Sequence, residues 1–542
     1  MKIFLMSFTK AKSLRLILAG LIAVAFSSCF AENITDSKMS MKEILSKFTT
    51  YAMQTQKEWH VPGMAIAIVQ DNKIIYAKGF GERNTKGALV TPDTIFSIAS
   101  CTKSFTAALL AIQIDQGKYT WNTKITKLYP AFKLYDPEAT KEFEMRDLIA
   151  HDSGLPEDAT DTMGSFGYSL EHIIYSLRFI KPVSKFRTQF SYEDIFPAFA
   201  GKLIADTAHQ KYSVFLRQQL LVPLDMRHTY VESETKLHLL KNVSQRFEYF
   251  SGKIYSYPKN SAYAAKLETL EKGANASGGI KSSARDMAKW LIFNMNNGEI
   301  RGKQLIGKKN MEFIHSPQTA IKTSSADDNL NGETEKFYGE GWFIDTQEYK
   351  PYVTLYHSGG GRGMHALMAY IPAKKIGIVI LTNTWGNKVP EALYQKFFDL
   401  YLNKTPLEDW SKIYLQQEKK FTNYVKKAMS TPDQCQVIKK INLKKYAGIY
   451  HNLVYGNLVM AKKGNHLTLK IGPANIVWKL TPCKNNIFQA YWKNEYGMNL
   501  PMFFPKQGVI HFTFKKNGDV NTMIIPYLND NGHGVFVRRK IC

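Results

Sequence analysis

Cysteine is scarce in this chain, with five in 542 residues, at positions 29, 101, 435, 483 and 542. So few exclude a disulfide framework and leave room for one local bridge, among the last three; none has the spacing of metal ligands. Long apolar runs are missing as well. The longest, residues 16–26, has eleven residues, against the roughly 20 that a bilayer-spanning helix needs, so no transmembrane span is expected in the mature chain. There is no arginine-rich arm, no zinc-finger spacing and no aromatic RNA-binding signature. Nucleic acid is therefore not the expected partner, although net charge is +25 and a basic surface by itself would suit one.

With 44% hydrophobic and 13% aromatic residues, the chain is too apolar to be disordered and long enough for two or three globular domains. Its first residues read as an address. Lys2, Lys10, Lys12 and Arg15 lead into the apolar stretch, and Ser27-Ser28-Cys29-Phe30-Ala31 supplies small residues for cleavage. A signal peptide over 1–31 is expected, hence an exported protein, periplasmic or secreted. A lipid anchor on Cys29 stays open, although Phe26 fits a lipoprotein signal poorly. Removing the four basic residues of the leader leaves +21 on the rest, which suits an anionic envelope.

The remainder divides by pattern. An amphipathic helix is expected over about 39–56, followed by a hairpin in "GMAIAIVQDNKIIYAKGF", where Asp71-Asn72 tolerates the left-handed backbone of a tight turn. Two more strands lie far downstream, at 366–371 and 376–381. Between them the chain is mostly helical; in "SARDMAKWLIFNMNNG" Ser283 can cap a helix and Gly298 end it. These features predict an α/β (α+β) sandwich over 32–404: an antiparallel sheet flanked by helices, with an all-helical region inserted. Thr405-Pro406-Leu407-Glu408 has the form of a capping box with proline at the first helical position, opening a linker helix over 405–441 that Pro432 terminates. From 442 to 542 short alternating runs separated by Gly464-Asn465, Asn485-Asn486 and Asn517-Gly518 predict an antiparallel β-barrel.

The chemistry centres on "SIASCTKSFTAALLAIQ", residues 97–113. On a helix starting near Ser100, Lys103 lies one turn on and faces the serine, while Cys101 is rotated by about 100° away. Eight of the eleven residues 104–114 are apolar, so this helix is expected to be buried. A buried lysine is either paired or poised as a base that can activate a hydroxyl. The spacing alone is weak, since Ser-x-x-Lys recurs at Ser7, Ser233 and Ser256 in a leader, a polar segment and a loop. The strands before Ser100 and the apolar helix after it set that one apart.

In this setting "FSIASCTKSFTA" resembles the nucleophile motif of the serine β-lactamase and penicillin-binding-protein superfamily, in particular its class C β-lactamase-like branch of D-peptidases and esterases. "LIAHDSGLP", "FSYEDIFPAFAGKLI", "SGGIKSSARDMAKWL", "YGEGW" and "YHSGGGRGMHALMAYIP" follow in that family's order. The likeness covers about 39–404, and the C-terminal segment resembles the lipocalin-like barrel appended to some of these hydrolases. The resemblance implies Ser100 as the acylated nucleophile, Lys103 as its base partner and Tyr192 as a second proton carrier. It implies His357 as a carboxylate ligand or proton relay, an oxyanion hole from the amides of Ser100 and Gly360, and Ser358 and Gly359 as substrate-strand positions.

One departure stands out: where the family has Tyr-x-Asn, this chain has Tyr192-Glu193-Asp194. An ionised carboxylate only accepts hydrogen bonds. Asp194 then either holds Lys103 charged, moving base duty to Tyr192, or attracts a cationic group of the substrate. The expected activity is hydrolysis of D-amino-acid-containing peptide, amide or ester bonds through a Ser100 acyl-enzyme, without metal or organic cofactor, on a small substrate that includes peptidoglycan-derived peptides. The alternative is a weak or inactive relative that binds stem peptides or another envelope partner.

Overall fold

The run "GMAIAIV" forms β1 (Gly63–Gln70), which turns through Asp71 and Asn72 into β2 (Lys73–Gly81). Both turn residues have left-handed backbone, φ 46° and 64°, as a two-residue turn matched to strand twist requires. Along β1, Met64, Ile66 and Ile68 face one core layer while Ala65, Ala67 and Val69 face the other. That is why the sequence there is unbroken apolar rather than alternating: the strand is covered on both faces.

The computed structural model describes residues 39–231, 240–250, 253–256, 275–322, 333–347, 350–361, 363–430, 436–438, 441–491, 508–528 and 532–539. The leader expected at 1–31, with Cys29, lies outside the described residues, as do Pro432, Cys435 and Cys542. Cys483 is disulfide-bonded. Among the described residues no helix is long and apolar enough to cross a membrane.

Six later strands complete the sheet: β3 (Thr319–Ala320), β4 (Glu333–Tyr338), β5 (Phe343–Gln347), β6 (Lys350–Gly361), β7 (Met364–Ile371) and β8 (Ile376–Thr382). The order is β3-β4-β5-β6-β7-β8-β1-β2, antiparallel throughout. The chain ends of this domain thus meet at β8–β1, in register from Met64↔Thr382 to Gln70↔Ile376. Helices α1 (Met41–Glu58) and α5 (Val389–Tyr401) cover one face, joined by Phe48 edge-on to Phe397 with centroids 5.4 Å apart. Helices α2 (Thr102–Asp115), α3 (Ile195–Ala208) and α4 (Ala284–Met295) belong to the other side, in one cluster with Ala67 and Val379. The α4 cap is Ser283, whose hydroxyl accepts from the Asp286 amide at 3.2 Å, and Gly298 turns away at φ 81°.

Two boundaries differ from expectation. The first helix starts at Met41, because Ser40 caps it in a full capping box with Glu43. The linker helix, α6 (Trp410–Ser430), does not open at Pro406. Asp409 caps it instead, accepting from the Lys412 amide at 3.3 Å. Trp410 is buried with its indole N–H on Asp399, 2.6 Å away, and fixes the start there.

The C-terminal region is a closed barrel of eight antiparallel strands, β9 (Gly448–Asn452), β10 (Gly456–Lys463), β11 (His466–Ile471), β12 (Ile476–Cys483), β13 (Ile487–Tyr491), β14 (Val509–Phe514), β15 (Val520–Ile524) and β16 (Val535–Arg538). Asn485 and Asn486, at φ 59° and 57°, make one of its turns. Tyr450, Leu469, Trp478, Phe488 and Phe512 fill its interior, so what closes the barrel is packed side chains. The barrel seats on residues 162–176 of the first domain. Tyr168 donates its hydroxyl to the Tyr455 carbonyl, His172 Nε2 donates to the Val454 carbonyl at 3.2 Å, and the Ala474 amide donates to the Phe166 carbonyl at 3.0 Å.

Candidate active site

Ser100 sits at a break in the chain's direction. The short strand Phe96–Ser97 pairs with Ile280–Ser282, Ala99 adopts φ 42°, and a single 3₁₀ turn, Ala99–Cys101, leads into α2. A left-handed alanine costs about 1 kcal/mol or more, so the surrounding packing must impose this turn. It does so through Thr102, whose hydroxyl accepts from the Ile280 amide at 3.1 Å, and through Phe105, stacked on Trp290 at 3.9 Å. The Trp290 indole also donates to Ser104 Oγ at 3.1 Å.

One turn on, Lys103 is 0% exposed. Its Nζ donates to Ser100 Oγ at 3.3 Å, to Asp194 Oδ1 at 2.5 Å and to the Ser277 carbonyl at 3.0 Å. These use all three hydrogens of an ammonium, and the carboxylate supplies the counter-charge that a buried cation needs. Asp194 spans inside and outside, since its side chain is still 41% exposed. Cys101, next to the serine, is turned into the core, where its thiol donates to the His357 carbonyl at 3.2 Å and burial pushes it up to about 12. It is no nucleophile at neutral pH.

Tyr192 lies with its ring 4.7 Å from Lys103 Nζ. Its hydroxyl is buried and lies beside that of Ser100. Burial first, then the Asp194 charge, hold the phenol well above its usual value of 10. The ring packs on His151 with centroids 4.2 Å apart. His151, at φ 57°, accepts the Glu193 amide on Nδ1 at 3.2 Å, and burial holds it well below 6.5, hence neutral.

His357 comes from β6. Its Nδ1–H donates to the Ser358 carbonyl at 2.5 Å and its Nε2 accepts the Tyr338 hydroxyl at 2.9 Å, which fixes the tautomer. Burial, followed by the nearby Lys103, lowers it to about 3. The ring is neutral with both nitrogens engaged, 6.5 Å from that of Tyr192.

Beyond Tyr356, β6 has no β5 partner and pairs only with β7, leaving the edge from His357 to Gly361 open. The glycines here are required by close approach. A β-carbon on Gly359 would stand 2.2 Å from the Ile98 carbonyl oxygen and 2.8 Å from the Ser100 nitrogen, and one on Gly360 would run into the Trp385 ring. An open strand edge against the turn that carries the nucleophile is a place where substrate backbone can lie and an oxyanion meet N–H donors.

Ser100, Lys103, Tyr192 and Asp194 are thus in direct contact or within a ring's width, and His357, Ser358, Gly359 and Gly360 close the site from β6. Sequence reasoning gave no role to Ser277, His151, Tyr338 or Trp385. The first three lie inside quoted motifs, "SGGIKSS", "LIAHDSGLP" and "YGEGW", and the motifs are the signal that could have found them. Trp385 lies outside every motif.

The beta-lactamase family model matches residues 48–397. Among curated relatives, the unguisins hydrolase ungD′ of Aspergillus campestris is 28% identical over 396 residues, which is 71% of each chain. Protein flp of Staphylococcus aureus is 23% identical over 335 residues, so the chain spans 61% of that relative's length. Among solved structures, the octameric penicillin-binding protein homologue from Pyrococcus abyssi superposes with a TM-score of 0.58 at 22% identity, covering 91% of this chain and 100% of that one.

Proposed function

The chain belongs to the beta-lactamase family, and on that footing we propose that it is an exported serine hydrolase, periplasmic or secreted, acting on D-amino-acid-containing peptide, amide or ester bonds through an acyl-enzyme on Ser100. The observation that carries this reading is the Lys103 ammonium 3.3 Å from Ser100 Oγ, with Asp194 as its counter-ion. In the forward step Oγ bonds to the substrate carbonyl carbon. Its proton passes to Lys103 Nζ as Nζ gives one to Asp194 Oδ1. The bond from the carbonyl carbon to the leaving group then breaks as the phenol of Tyr192, a proton donor and not a resting phenolate, protonates that group and is replenished from the same pair. The developing oxyanion is met by the amides of Ser100 and Gly360, and Ser358 and Gly359 border the bound backbone. Water then reverses the sequence and frees the serine.

A second reading keeps the site and drops the turnover: a protein that captures peptidoglycan stem peptides. What favours it is that the lysine's three hydrogens all have acceptors, so a free base exists only after the proton shift to Asp194. Labelling with a fluorophosphonate or a fluorescent penicillin, followed by mass mapping, separates the two. An adduct on Ser100 that Ser100→Ala abolishes supports the enzyme; retained peptide binding without any adduct supports the capture protein.

A further inference from the structure

Trp385 is a large apolar side chain beside this site that is left 37% exposed. It stands on a two-residue strand, Thr384–Trp385, paired in parallel with Phe247 and Glu248 and followed by Gly386 at φ 84°. Its six-membered ring lies directly on the α-carbon of Gly360, where a β-carbon would come within 1.8 Å of it. The adjoining Gly359 faces the Ser100 turn, and because successive strand residues face opposite ways the indole covers the other face of β6 beside the same open edge, where a substrate extended along that edge would direct every second side chain.

The ring is also rigidly backed. His365 meets it edge-on, centroids 5.2 Å apart. That imidazole is held at both nitrogens, by the Asn387 carbonyl at 3.0 Å and by Glu391 Oε1 at 3.1 Å. The Asn387 amide group returns to the Thr384 carbonyl at 2.8 Å. A wide apolar face fixed in place and left half in water is preorganised to receive another apolar face.

We propose that Trp385 is a specificity-determining platform of the Ser100 site, and that the substrates it selects carry an aromatic or bulky apolar group beside the scissile bond. The position of that group relative to the reacting carbonyl rests on the serine-hydrolase reading above. The platform itself rests on the geometry of Trp385, Gly360 and His365.

Two phosphonofluoridates test it, one bearing a phenyl group and one a methyl group in the substituent next to phosphorus. Native protein should be phosphonylated at Ser100, Oγ bonding to phosphorus as fluoride leaves, about tenfold faster with the aryl reagent, as covering an exposed indole face would give. Trp385→Ala should abolish that preference by slowing the aryl reagent more than the methyl one, while Trp385→Phe keeps most of it; an unchanged unfolding midpoint shows that the variants are folded. Retention of the aryl preference in Trp385→Ala, or equal losses with both reagents, overturns the proposal. Binding of benzamide against acetamide, read by calorimetry on the same proteins, needs neither turnover nor a serine adduct. If native protein forms no Ser100 adduct, the hydrolase reading fails, and the aryl preference in amide binding, with its loss in Trp385→Ala, still decides the platform.

Discussion

Asp194 Oδ1 stands 2.5 Å from Lys103 Nζ, so the residue that departs from the family's Tyr-x-Asn pattern is spent first on the lysine. This contact bears on the two roles the sequence left open for it. Asp194→Asn removes the counter-charge while keeping a similar shape, and kcat/KM should fall about 10²- to 10³-fold, in the range of a lost proton-transfer partner. Amine-bearing and amine-free esters should lose equally. A selective loss on the amine-bearing ester would show that Asp194 reads the substrate.

Tyr192 makes a second prediction, about pH. Burial and the Asp194 charge hold its phenol well above 10, so its ionised form is not populated as pH approaches the ordinary tyrosine range. The profile of kcat/KM should show no rise between about pH 8.5 and 10, where an unperturbed phenol turning into a base would produce one. Tyr192→Phe should lower kcat about 10²-fold, in the range of a lost proton donor to the leaving group.

Behind the site lies a group that titrates near neutrality without chemistry of its own. Burial, reinforced by Asp147, pushes the Asp152 carboxyl from 3.8 up to about 7. Its Oδ1 is buried without a partner. The folded chain keeps this proton over roughly pH 4 to 7 while the unfolded chain releases it, so the folded state binds more protons and this residue's contribution to stability falls as pH rises through that window. The loss is on the order of 2 to 4 kcal/mol at full ionisation. Asp152→Asn should therefore flatten the decline in denaturant midpoint between pH 4 and 7 and stabilise the protein at pH 7.5. A variant no more stable than the native chain at pH 7.5 would count against it.

What the sequence discloses and what it hides divide along a physical line. Local geometry was legible: the i, i+3 placement of Ser100 and Lys103, the left-handed pair Asp71-Asn72, the Ser283 cap and the alternation of the barrel strands each follow from a few neighbouring residues. Partners that depend on tertiary closure were not. The Ser277 carbonyl that binds Lys103 is a backbone atom 174 residues away, and any residue type could supply it. Trp385 earns its place from a glycine on another strand. Pro406 had the local grammar of a helix start, yet the buried Trp410 set the start by its contacts with the core. The resemblance to a family supplied Tyr192 and His357, which spacing alone would have left among ordinary core aromatics.

The close passage of β6 across the nucleophile's turn gives the sharpest test of geometry. Gly359→Ala places a methyl group 2.2 Å from the Ile98 carbonyl oxygen and 2.8 Å from the Ser100 nitrogen, both backbone atoms that no rotamer change can move aside. Either β6 backs off or the turn shifts, and a displacement near 1 Å at a reacting centre costs about 10²-fold in rate. The strand is paired along its other edge with β7, so the fold should survive with an unfolding midpoint only a few degrees lower. By contrast Gly361→Ala meets no atom within 4 Å; its φ of 132° makes it a strain-only control. The expected outcome is that Gly359→Ala loses Ser100 labelling by about two orders of magnitude while Gly361→Ala loses stability more than rate. Equal labelling rates in the two variants would mean that this strand does not border the reacting carbonyl.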